Sequence, residues 1–275
     1  GERGSLQGDE NCLYLNIYAP RFAGGHPPAG NHRLPVMLWI HGGGNTIGHG
    51  GFYDGGNLAV ARNVIVVTTN YRIGPMGWMR LAALRADAAN DAEASGNFAT
   101  LDLVRALEWV RDNVAAFGGD PGNVTIFGES AGGTNVFSLL LAPQAKGLFQ
   151  RAIAQSGGMR FTPKSVADAP AGDTTPEHAR YGQSPALAAA RLLVRGGRAK
   201  SEDEARRLVA TMPATDLAHF LRGLAWRDVL GAYDANPTGM IHMHSTLADG
   251  AVLPADPLER LARPDGWNRV PVMLG

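Results

Sequence analysis

Residues 123–142 read NVTIFGESAGGTNVFSLLLA, and this stretch restricts the chain more than any other. A β-branched and aromatic run passes into a helix-like apolar run through a serine bracketed by glycines. Gly128-Glu129-Ser130-Ala131-Gly132 fits G-x-S-x-G in the context that pattern requires, a strand before it and a helix after it. The glycines permit the cramped turn that lifts the Ser130 hydroxyl above the edge of a sheet. Such a turn also sets Ser130 at a helix N-terminus, whose partial positive charge favours an incipient alkoxide. The competing reading is a plain glycine-serine turn with Ser130 as an N-cap. The flanking pattern weighs toward a nucleophile.

The rest of the chain repeats the alternation. Short apolar runs at 12–18, 36–41, 64–71, 123–128, 151–156 and 271–274 read as strands. Between them, 99–118 carries Leu103, Leu107, Val110, Val114 and Phe117 at helical spacing and stops at Gly118-Gly119, with Pro121 close behind. A second helix runs from Ser130 to Leu141 and is closed by Pro143. Near-continuous apolar strands alternating with helices indicate an α/β fold with a mainly parallel sheet and flanking helices. The first strand, which alternates polar and apolar, is expected to pair antiparallel at an edge.

From about 160 to 250 the pattern changes to a Pro/Ala/Asp loop followed by helical segments. This region is expected to be a helical, cap-like insertion within a single domain over 1–275. Both ends look internal. The start, GERGSLQGDEN, is polar, has no initiator Met and is not a signal peptide, and NRVPVMLG stops inside a strand-like run. A piece of a domain truncated at both ends is the expectation.

WIHGGGN, residues 39–45, supplies a complement to the serine. Three glycines after a strand leave backbone N–H groups unobstructed, and an oxyanion needs two or three such donors aimed at one point. Gly43, Gly44 and Ala131 are the candidate donors. A lone GGG is more often a flexible loop; paired with the serine turn, that reading weakens.

GDENCLYLNIYAP, LWIHGGG, NYRIGPMGW, GNFATLDLVRALEWVRDNVAAFGGDPGNVTIFGESAGG, AIAQSG and ADGAVLP follow one another in the order found in type-B carboxylesterases. The chain resembles that cholinesterase-like group of α/β-hydrolases over about 8–158 and again over 248–275. The resemblance implies ester hydrolysis through an acyl-enzyme with a Ser–Glu/Asp–His triad. It implies Ser130 as nucleophile, an oxyanion hole of Gly43, Gly44 and Ala131, and a site lined by His41, Gly42, Asn45, Glu129 and Ser156. Two departures stand out. Asn45 is polar where the family commonly has an aromatic residue, which leaves the acyl-pocket lining open. Leu103 takes the place of a polar residue often seen after the Asp. The resemblance further implies a missing N-terminal part which, in extracellular members, holds a cysteine that would pair with Cys12.

In this fold the acid and the His follow the serine in chain order. Counted by strands, the acid is expected just after Gly275 and the His beyond it, so the chain as it stands should turn over little ester. His178 reads as a solvated loop residue, His219 as a packed helix residue, and His242 and His244 as lining of the cap side. A base role for the last two is disfavoured. His41, upstream of the serine, braces the glycine loop. Tyr71-Arg72 anchors the neighbouring loop, and Trp39 and Trp109 read as core.

No cofactor and no metal are expected, since the His-x-His pair lacks a third ligand at a recognised spacing. With 25 basic and 25 acidic side chains, net charge gives no reason to expect nucleic acid or an acidic membrane as partner. The apolar runs are too short to span a bilayer. A soluble protein, cytoplasmic or secreted, acting on a small-molecule ester is the expectation; the Ala, Gly and Arg content fits a bacterial source. Two alternatives remain: a non-catalytic binding or adhesion homologue, and an acyltransferase on the same fold.

Overall fold

The computed structural model describes residues 6–173 and 175–275. The first five residues of the polar N-terminal stretch lie outside the described residues. Two compact units are present. One comprises Cys12–Arg72, Ala99–Arg160 and Asp256–Gly275; the other is built mainly from Ile73–Phe98 and Phe161–Ala255.

The first unit holds a six-stranded sheet. Its strands are β1 (Leu15–Tyr18), β2 (Leu34–Ile40), β3 (Ile65–Thr69), β4 (Gly119–Glu129), β5 (Arg151–Gln155) and β8 (Val272–Leu274). The order is β1-β3-β2-β4-β5-β8. Only β1 runs antiparallel, at the edge against β3, as its alternating sequence anticipates; the other pairings are parallel. All five residues of β3 are buried, which accounts for its unbroken apolar run. β2 alternates instead, burying Val36, Leu38 and Ile40 and leaving Met37 and Trp39 half-buried. Each predicted strand is present; β4 begins earlier than its sequence signal, with a register irregularity opposite Leu34/Val36.

The helix Ala131–Leu141 packs on β4, β5 and β2, and ten of its eleven residues are buried. A helix apolar on every side belongs inside. The helix Phe98–Asn113 buries Leu103, Leu107 and Val110 on one face. Beyond Asn113 the chain tightens into a 3-10 turn, Val114–Phe117, and Gly118 caps it at φ 83°. This corrects one expectation. Phe117 is 40% exposed, since a 3-10 turn advances about 120° per residue and carries it off the α-helical stripe. It rests near Trp109, with ring centroids 6.1 Å apart. Trp39 and Trp109 are half-buried rather than core.

The second unit is mostly helical. Its longer helices are Pro185–Arg195, Glu202–Thr211 and Ala214–Arg222, which fall where helical segments are expected after the loop. Ser201 accepts from the Glu204 N–H at 3.2 Å while Glu204 accepts from the Lys200 N–H at 2.7 Å, a reciprocal N-terminal cap. The stretch 161–185, expected as loop, contains two short helical turns and the strand β6 (Thr162–Pro163). β6 pairs in parallel with β7 (Leu247–Ala248). No helix among the described residues is long and apolar enough to cross a membrane.

Candidate active site

Parallel pairing fixes where the site forms. Ile40 faces Gly128 across β2 and β4, and Glu129 faces Gln155 across β4 and β5. Three strands therefore finish side by side, and His41, Ser130 and Ser156 are the first residues beyond their ends.

Ser130 has φ 56° and ψ −119°, the first-corner conformation of a type II′ turn that glycine normally occupies. Its N–H donates to the Gln155 carbonyl at 2.9 Å, and its carbonyl accepts from the Thr134 N–H at 3.0 Å. The side chain makes no capping bond to the helix that follows. The N-cap reading of Ser130 therefore fails: the residue occupies the position but its hydroxyl is not used there.

The turn is possible because helix and sheet meet without side chains between them. A Cβ on Gly132 would be driven into the Ile40 carbonyl oxygen, with the His41 carbonyl 2.9 Å away. The same closeness governs the other loop. A Cβ on Gly42 would lie 2.8 Å from the Glu129 carbonyl oxygen, 3.2 Å from its Oε2 and 3.3 Å from Ser130 Cβ. The two glycine-rich segments are thus brought into contact at Gly42. Glu129 itself is exposed.

Beyond Gly42 the chain turns through three consecutive positive φ values at Gly43, Gly44 and Asn45. The Gly43 carbonyl accepts from the N–H groups of Thr46 and Ile47, which closes the turn. The N–H groups of Gly43 and Gly44 make no backbone hydrogen bond among the described residues. Asn45 is buried and accepts from Asn135 Nδ2 at 2.9 Å.

His41 braces this loop, as its sequence position anticipates. Its ring stacks on Tyr71 at 4.4 Å, and the Tyr71 hydroxyl donates to the His41 carbonyl at 2.7 Å. Nδ1 lies 2.8 Å from the Gly42 carbonyl, which can only accept, so Nδ1 carries the proton. Burial lowers the His41 pKa, the Gly42 carbonyl partly opposes that, and His49 lowers it further. The ring is held neutral. Burial also pushes the Tyr71 hydroxyl pKa up, which keeps it a donor. Arg72 anchors the next segment through two side-chain bonds to Asp102, both 2.8 Å.

Ser156 is exposed at φ 51° and donates its N–H to the Gly275 carbonyl. Among the remaining histidines, two differ from expectation. His178 is not freely solvated: Nδ1 sits 2.8 Å from Asp173 and 2.6 Å from the Thr175 hydroxyl. His219 is exposed on its helix, because Leu217, Ala218 and Leu221 take the buried face. His242 is exposed, whereas His244 and the Met243 between them are buried, so the segment does not follow strand alternation. These four belong to the second unit, whereas Ser130 belongs to the first. Among the described residues no three His, Cys, Asp or Glu side chains form a set able to hold a metal.

Asn135, the partner of Asn45, was not marked by sequence reasoning. The signal was available: it is an amide in a run, NVFSLLLA, in which only Ser138 is otherwise polar.

A family model described as "Carboxylesterase family" matches residues 1–275. Liver carboxylesterase 1F of Rattus norvegicus is 39% identical over 284 residues, covering all of this chain and 43% of the relative. Para-nitrobenzyl esterase of Bacillus subtilis is 51% identical over 160 residues, covering 58% of this chain and 30% of the relative. A solved PNB esterase structure superposes with a TM-score of 0.69 at 36% identity, covering 99% of this chain and 50% of its own. The chain spans less than half the length of the curated carboxylesterases it matches.

Proposed function

The chain belongs to the carboxylesterase family, with the α/β-hydrolase fold, and from that premise we propose that it carries the nucleophile and oxyanion hole of a serine carboxylic ester hydrolase. The observation that carries the reading is Ser130: a serine in a glycine conformation, its hydroxyl free of the helix it precedes. A chain accepts such strain where the position of the side chain matters.

In this reading Ser130 Oγ attacks the ester carbonyl carbon. The carbonyl oxygen takes up negative charge and is met by the N–H groups of Gly43, Gly44 and Ala131. The hydroxyl proton passes to an imidazole base, which then returns it to the departing alcohol. Water, activated by the same base, cleaves the acyl-enzyme to free acid and Ser130. The resemblance puts the acid and the imidazole in the portion of the relatives that this chain does not span. Neutral His41 holds the glycine loop in shape without adding a second base. Glu129, against Gly42, adds negative potential that stabilises the imidazolium formed during acylation, and Ser156 supports the neighbouring strand end. Gly42 and Asn45 line the same loop. Residues from about 160 to 250 are read as the helical cap-like insertion of the domain.

The substrate class is a small carboxylic ester, and a p-nitrobenzyl ester is the first to try, given the B. subtilis relative's name. The test is covalent labelling by a fluorophosphonate, read by peptide mapping. The expected adduct, on the full-length parent that supplies the acid and the imidazole, is on Ser130 and is lost in Ser130→Ala; its absence there would sink the esterase reading. Free acid as the main product in the presence of a competing alcohol separates hydrolase from acyltransferase.

A further inference from the structure

The loop after β2 takes Gly43 to φ 106°, Gly44 to 62° and Asn45 to 61°. The glycines adopt such values without steric cost, whereas Asn45 carries a Cβ and must be held there. Among the described residues, one side-chain hydrogen bond holds it. Asn45 is 4% exposed, and its Oδ1 accepts at 2.9 Å from Nδ2 of Asn135, which is fully buried in the helix Ala131–Leu141.

Asn135 is an odd residue for that helix. Its own Oδ1 has no hydrogen-bond partner among the described residues, although a buried amide oxygen left unpaired is unfavourable. A leucine would fill the same volume without that cost. In return the amide provides the bond to Asn45 and a hydrogen bond to the Tyr71 hydroxyl, the group that also donates to the His41 carbonyl at the start of the same loop. The bond to Asn45 joins the tip of the glycine turn to the helix that begins at Ser130. The turn's other end is fixed by the approach of Gly42 to Ser130.

We propose that Asn45 and Asn135 form a clamp that fixes the Gly43 and Gly44 N–H groups relative to Ser130, making Asn45 a positioning residue of the oxyanion hole. This rests on the esterase reading above. Oxyanion donors act only when held to within about half an ångström of their hydrogen-bonding position, about 2.7–3.1 Å from the developing charge, so a loop anchored at one end would serve poorly.

The test uses Asn45→Gly, which keeps the positive φ and removes the clamp, Asn135→Leu, and the double variant. Two readouts are taken on the protein that carries this chain. The first is fluorophosphonate labelling, in which Ser130 Oγ bonds to phosphorus, fluoride leaves and the hydroxyl proton passes to the base. The second is amide hydrogen exchange over residues 43–47, which needs no chemistry. The expected result is a drop of about tenfold or more in the maximal labelling rate of each single variant. The half-saturating probe concentration should stay within about twofold, and the double variant should lose no more than the worse single. Exchange should accelerate by about tenfold or more in the same variants. Unchanged labelling and exchange in Asn45→Gly, or losses that multiply in the double variant, would overturn the clamp. If Asn135→Leu does not fold, Asn45→Gly decides. If the unaltered protein gives no Ser130 adduct, the esterase reading fails, and exchange alone upholds or overturns the clamp.

Discussion

Asn97 donates from Nδ2 to the Asp249 carboxylate and to the Leu247 carbonyl, each at 2.8 Å, and its Oδ1 accepts from the Leu247 N–H at 2.9 Å. Asp249 also accepts from the N–H groups of Ala251, Val252 and Leu253 at 3.0 to 3.2 Å. Both side chains are buried, so ADGAVLP is a structural hub in which Asp249 is fully occupied. Asn97→Ala is expected to cost roughly 2–4 kcal/mol, since it removes a charge-assisted bond to the buried Asp249 carboxylate and leaves the buried Leu247 N–H without its acceptor. Urea denaturation checks this; a loss under about 0.5 kcal/mol would contradict the bonding described.

Ser130 holds a backbone conformation that costs a residue with a Cβ about 1–2 kcal/mol. Ser130→Gly should therefore raise stability by about 1 kcal/mol while abolishing labelling. Ser130→Ala should abolish labelling with no such gain. Equal denaturation midpoints for the two variants would argue against strain at this turn.

Gly132 is where the helix touches β2. A methyl group there would meet the Ile40 carbonyl, so Gly132→Ala should destabilise the fold by about 3 kcal/mol or more. Thermal unfolding of the purified variant, or its failure to accumulate as soluble protein, reads this directly.

His244 is 1% exposed, and the Gly182 backbone only weakly supports the charged form of its ring. Burial first, then the charges of His178 and His242, lower its pKa from 6.5 to about 4. The unfolded chain thus binds this proton at a higher pH than the folded one, and stability falls as pH drops from about 6.5 toward 4. The loss approaches roughly 3 kcal/mol, and buried His41 adds to it with the same sign. Denaturation midpoints measured across this range should fall less steeply in His244→Gln than in the unaltered protein.

Much of the fold was legible because parallel strands buried on both faces leave unbroken apolar runs, as in β3, and an edge strand alternates, as in β1. Element ends were less legible. Phe117 obeys helical spacing in sequence, but the switch to a 3-10 turn that exposes it depends on how Gly118 caps the chain. His219 and His178 were misplaced for a related reason: which face of a short helix is buried, or which carboxylate lies alongside, is a property of neighbours distant in sequence.

The sequence alone determined the turn at Ser130, because only glycines tolerate the contact between helix and sheet and their spacing is written in G-x-S-x-G. It also determined the bare amides of the glycine loop, since a missing side chain is a local property. Tertiary structure decided what joins these segments. Strand order sets Ile40 beside Gly128, Tyr71 reaches back to the His41 carbonyl, and Asn135 meets Asn45 ninety residues away in the chain. Each of these is a contact between groups that sequence keeps apart, and a hydrogen bond depends on distance and direction, which only the folded chain fixes.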